Sequence, residues 1–175
     1  LLPNPDRPPP ARTLFRRNRS FASAPHGILM TTAIQILSSK ADKTLYKTTP
    51  AASVFDAVKL MAEKSIGALV VMEGETVVGL ISERDYARKI VLMARSSRDT
   101  QVREIMTCPV MYVQPSQTSE ECMALMTENR LRHLPVMDKG KLIGLVYIGD
   151  LVKDVISDQK FIIQQLEHYI AGDLG

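Results

Sequence analysis

The chain has no tryptophan, only two cysteines, and aromatic side chains at 5% of its 175 positions. Each scarcity removes a class of protein. Cys108 and Cys122 stand apart with no CxxC spacing, so neither a disulfide framework nor a cysteine-built zinc site is expected. Free thiols in a reducing compartment are the expected state. No uninterrupted apolar run approaches the ~18 residues of a membrane-spanning helix. The longest candidates, such as Ile66–Met72, have the length of a strand, so no membrane insertion is expected. Phosphate loops of the Walker type, GxGxxG fingerprints, Ser-His-Asp sets and clustered metal ligands are also missing. No catalytic residue, metal or catalytic cofactor is therefore expected, and the chain does not read as an enzyme.

An excess of positive charge is missing wherever the sequence is patterned. The net charge is +3, but residues 1–29 carry Arg7, Arg12, Arg16, Arg17 and Arg19 against Asp6 alone, a local +4 that leaves −1 for the rest. A nucleic-acid partner is not indicated. Residues 1–30 are also rich in proline (Pro3, Pro5, Pro8, Pro9, Pro10) and show no sustained periodicity, so they are expected to be disordered. Arg16–Ser23 has the Arg- and Ser-rich, acid-poor character of an organelle transit peptide. The alternative is that Met30-Thr31-Thr32 is the natural start. It is favoured because the patterned chain begins directly after it, and it sets a cytoplasmic expectation, with the mitochondrial matrix as the alternative.

What the sequence does contain is a repeat. Residues 50–87, moved forward 65 positions, fall on 115–152 without a gap and with ten identities in 38 pairs. Pro50 meets Pro115, Leu60-Met61 meets Leu125-Met126, Gly79-Leu80 meets Gly144-Leu145, and Asp85 meets Asp150. Average residue usage would give roughly two or three. Two copies of one unit imply a pseudo-twofold pair and a cleft between copies where a ligand can sit.

Within the first copy, Leu45–Thr48 is a short β-rich run ended by Pro50. Ser53 and Asp56 then form a capping box for a helix to about Lys64. Ala68–Met72 and Thr76–Ile81 flank Glu73-Gly74-Glu75 as a hairpin, and a further helix starts near Glu83 and runs to about Ala94. The second copy repeats this with Met111–Val113, a helix 119–129 boxed by Thr118 and Glu121, strands His133–Met137 and Lys141–Tyr147, and a helix from about Asp150. Lead-ins match too: Ala33–Leu37 resembles Val102–Met106. The predicted class is α/β (α+β), with tandem β-α-β-β-α units, each behind a lead-in helix. The predicted division is 31–94, a linker 95–101, 102–156, and a terminal helix extension 157–175.

Ile105-Met106-Thr107, Arg132–Val136, and the signature Gly79-Leu80-Ile81-Ser82-Glu83-Arg84-Asp85, repeated as Gly144–Asp150, resemble a cystathionine β-synthase (CBS) domain pair, or Bateman module. The likeness covers residues 31–171 and is to small stand-alone bacterial two-CBS proteins. It implies an adenine nucleotide or adenosyl ligand (AMP, ADP, ATP, NAD or S-adenosylmethionine) in the inter-repeat cleft, a homodimer, and an unknown protein regulated in trans. Asp85 and Asp150, with Ser82, are the ribose candidates, because an ionised carboxylate accepts both the 2′ and 3′ hydroxyls. The resemblance gives Thr48, Thr49, Pro50, Ala68 and Val70, then Val113, Gln114, Pro115, Leu134, Pro135 and Tyr147, to the base. Arg84, Arg132 and His133 are the phosphate candidates. Plainer readings stand beside these. Ser82 and Asp85 also spell a helix cap, Gly79 and Gly144 suit packing or a bulge, and Tyr147 either stacks on a base or fills the slot. A constitutive scaffold with vestigial pockets is the competing function.

Overall fold

The computed structural model describes residues 15–17 and 31–172. The chain divides into two compact units, one built on 15–17, 44–112 and 139–142, the other on 31–43, 113–138 and 143–172.

In the first unit, β2 (Lys47–Thr48) runs parallel to β3 (Ala68–Glu73), which pairs antiparallel with β4 (Thr76–Ser82). Helix α2 (Val54–Lys64) starts at Ser53, whose hydroxyl accepts the Asp56 N–H at 3.0 Å and so satisfies one of the orphan amides of the first turn. Its apolar face, with Val54, Ala57 and Met61, packs on Leu69, Val71 and Ile81 to make a core. Gly74, at φ 59, opens the hairpin turn in the left-handed region that glycine enters without steric cost. The helix expected from Glu83 is present as α3 (Glu83–Tyr86), then widens over Ala87–Val91. There the Leu92 N–H reaches back five residues to the Ala87 carbonyl, at 3.1 Å. Apolar spacing does not distinguish that wider turn from an ordinary one.

The second unit repeats the plan with α4 (Ser119–Asn129), capped by Thr118, and strands β6 (His133–Asp138) and β7 (Lys141–Tyr147). Its turn differs: Lys139 and Gly140 both take positive φ (47° and 82°), as a type I′ hairpin requires. Val113 bridges Val136 in parallel, the counterpart of Thr48 against Val71. Helix α5 (Ile148–Gly172) buries Leu151, and from Ile156 onward all its described residues are exposed.

The lead-ins are exchanged. Helix α1 (Ala33–Ser39), expected to open the first repeat, lies in the unit built on the second: the Ala33 N–H donates to Gln117 O at 2.8 Å and the Ser119 N–H to Thr31 O at 2.8 Å. The short turn Val102–Glu104 lies correspondingly on the first repeat, where the Val102 N–H donates to Ala52 O and the Val54 N–H to Thr100 O, both at 2.9 Å. The two signature glycines are explained by this. A Cβ on Gly79 would stand 2.4 Å from Met106 Sδ, and one on Gly144 2.5 Å from Leu37 Cδ1. They are packing glycines that let a lead-in side chain lie on the strand.

Of the segment expected to be disordered, Phe15–Arg17 forms a strand, β1, parallel to β5 (Val110–Tyr112). The open edge of β5 offers unpaired backbone groups, which is what recruits an added strand. The remainder of 1–30, including the transit-peptide reading, lies outside the described residues.

Candidate functional site

Both candidate carboxylates sit where a strand hands over to a helix. At the first junction Asp85 is buried. Its Oδ2 accepts the Ser82 N–H at 3.1 Å and the Ser82 hydroxyl at 2.7 Å. Its Oδ1 accepts the Thr107 hydroxyl at 3.2 Å and faces Lys89 Nζ at 2.9 Å. Lys89 also donates to Ile105 O at 2.6 Å, tying the junction to the lead-in. The capping box anticipated from Ser82 and Asp85 is thus formed.

At the second junction Asp150 Oδ2 accepts the Tyr147 N–H at 3.0 Å and faces Lys40 Nζ at 2.9 Å. Lys40, just past the end of α1, also donates to Leu145 O at 2.9 Å. Tyr147 contributes only its backbone to the cap. Its ring stacks on His133, centroids 5.0 Å apart at 29°.

The structure brings some predicted residues together and separates others. Ala68 pairs directly with Ser82, and the Glu83 N–H donates to Gly67 O, so Ala68, Ser82, Arg84 and Asp85 share one end of the β3–β4 hairpin. Thr48, Thr49 and Pro50 lie further along, since Thr48 pairs with Val71, three residues or about 10 Å up the strand from Ala68. In the second unit Arg132, His133, Tyr147 and Asp150 share the matching end, with the Ile148 N–H donating to Arg132 O at 2.9 Å. Val113 and Pro135 meet higher up, where the Val113 N–H donates to Pro135 O at 3.0 Å, and Gln114 and Pro115 follow Val113 along the chain. Ala68, Val70, Val113 and Leu134 are buried, Ala68 and Val70 on the face of β3 opposite Leu69 and Val71.

Lys40, Lys89 and Thr107 are the site groups that sequence reasoning missed. Lys89 was legible, since a lysine four residues after an aspartate on a helix faces it. Lys40 and Thr107 were not, because each arrives on a lead-in whose docking the local pattern does not reveal. Among the described residues no group of three or more His, Cys, Asp or Glu is placed to hold a metal, and no helix is long and apolar enough to cross a membrane.

Twin hairpins, each with a glycine in the middle of its second strand and a capping aspartate just beyond it, define a tandem-repeat α/β module. The chain belongs to the CBS domain family, whose model matches residues 29–92 and 102–157. It is 40% identical over 154 residues to the mitochondrial CBS domain-containing protein CBSX3 of Arabidopsis thaliana, covering 83% of this chain and 75% of that one. A solved CBS-domain protein from Burkholderia ambifaria is 62% identical, with a TM-score of 0.71 over 74% of this chain and 96% of that chain. The CBS pair of protein MJ0100, solved with 5′-methylthioadenosine and S-adenosyl-L-methionine, shares the fold at 21% identity, with a TM-score of 0.62 over 71% of this chain and 94% of that chain.

Proposed function

We propose that this CBS pair is a non-catalytic sensor that binds an adenine nucleotide or adenosyl ligand at its aspartate junctions and passes the binding event to a partner protein. The observation that carries the reading is the duplicated junction. Twice, a carboxylate suited to two ribose hydroxyls lies beside a lysine ammonium 2.9 Å away, a cation within reach of a phosphate. AMP, ADP, ATP, NAD and S-adenosylmethionine all present the adenosine portion that such a junction takes. Arg84 and the Arg132–His133 pair stand at the same ends of the hairpins and extend the positive charge. A homodimer in the cytoplasm, or in the mitochondrial matrix, completes the proposal.

Titration calorimetry against those five ligands tests it. Micromolar binding of one of them, lost in Asp85→Ala or Asp150→Ala with circular dichroism unchanged, is the expected result. Uniform absence of heat overturns it and favours the scaffold reading. That second reading has its own observation: both carboxylates already have internal cationic partners, and Tyr147 covers His133.

A further inference from the structure

From Ile156 to Gly172 helix α5 runs on for about four turns in which every described residue is exposed. Ile162 is 42% exposed, Leu166 56%, Tyr169 75% and Ile170 62%. A stretch this long is marginal as an isolated helix in water, and a contiguous exposed apolar stripe marks an interaction surface. The sequence repeats there every seven residues: Val155, Ile162, Tyr169 and, alongside, Ile156, Ile163, Ile170. That period is the mark of a helix that packs along another helix.

The geometry points to a second copy of this chain as the occupant, its α5 lying antiparallel to the first. This deepens the homodimer of the proposed function and rests on it. A twofold axis passing at the level of Gln164 sets Ile162 against Leu166 of the other copy. The one polar interruption of the seam, Gln159, then lies level with Tyr169, where amide and phenol can hydrogen-bond. Each of these pairs occurs twice, as a twofold demands. The overlap ends where it should, because Gly172 falls opposite Ile156, the residue from which the helix is exposed throughout. The seam is about 24 Å long, at 1.5 Å per residue.

Light scattering and cysteine cross-linking on the full chain test this. The wild type is expected at twice the chain mass at micromolar concentration, and Ile162→Glu/Leu166→Glu at one chain mass, its circular dichroism losing no more helix than the stretch beyond Ile156. In a Cys108→Ser background, Gln159→Cys/Tyr169→Cys is expected to oxidise to a covalent dimer and Gln159→Cys alone is not. A dimer that survives the double glutamate overturns the seam while leaving the homodimer standing; a monomeric wild type overturns both. Cross-linking by Gln159→Cys alone overturns the antiparallel arrangement.

Discussion

Asp85 and Asp150 occupy the same place in the two repeats, yet different parts of the chain hold them. The cation facing Asp85 comes from the next turn of its own helix, and a serine hydroxyl and a threonine hydroxyl complete its partners. The cation facing Asp150 comes from Lys40, at the end of a lead-in far upstream, and the cap is a backbone amide alone. At the position equivalent to Lys89 the second repeat has Asp154, whose Oδ2 is buried with no hydrogen-bond partner among the described residues. One junction is therefore largely local. The other is assembled only when α1 docks, so an occupant of the second junction competes with an anchor of α1 and an occupant of the first does not.

The glycines sharpen this contrast most. Gly144→Ala drives its methyl against the branched end of Leu37, whereas Gly79→Ala meets the flexible thioether of Met106. Urea denaturation is expected to show a loss of about 1–3 kcal/mol for Gly144→Ala and under about 1 kcal/mol for Gly79→Ala. Equal losses would break the comparison. Next in size, Asp85→Ala removes a complete capping box and the carboxylate facing Lys89, for about 2 kcal/mol, while Asp150→Ala removes half a box, for about 1 kcal/mol.

Smaller again is Lys40→Met, at most about 1 kcal/mol for a partly exposed ion pair. Its signature is positional: amide exchange should quicken over Ala33–Ser39 and stay unchanged over Val54–Lys64, and Lys89→Met should leave Ala33–Ser39 alone. The cysteines give the smallest effect. Burial pushes the Cys122 thiol up to about 12, whereas Cys108 is exposed. One thiol should react with a disulfide reagent in the native protein and two in denaturant. Because the folded value lies above the unfolded one, the protonated thiol's contribution is complete below pH 9 and fades as pH climbs toward 12. The stability gap between wild type and Cys122→Ala should narrow over that range.

Local chemistry made much of the fold readable. Ser53, Thr118 and Ser82 announce their helices, the apolar run at Ala68–Met72 its strand, and Gly74 its turn. The carboxylates at the ends of β4 and β7 were legible because the repeat doubled the signal. What escaped was set by distant docking. Nothing in Ala33–Leu37 indicates that it packs on Gly144 rather than Gly79, since both sites accept an aliphatic knob over a glycine. Lys40 was missed for the same reason. The separation of Thr48–Pro50 from Asp85 follows from strand register, which spacing alone does not supply.

Exchanged lead-ins also govern how the polypeptide is made and how it can be cut. As it leaves the ribosome, the first half cannot close until Thr100–Thr107 has emerged, while Thr31–Lys40 must wait undocked for nearly the whole remaining length of the chain. Severing the connection near residues 95–101 would yield two fragments, each stripped of the piece that seals it and carrying the piece that belongs to the other. The halves are interlaced like a clasp, so neither is expected to survive as a free-standing product unless its missing clip is grafted back on.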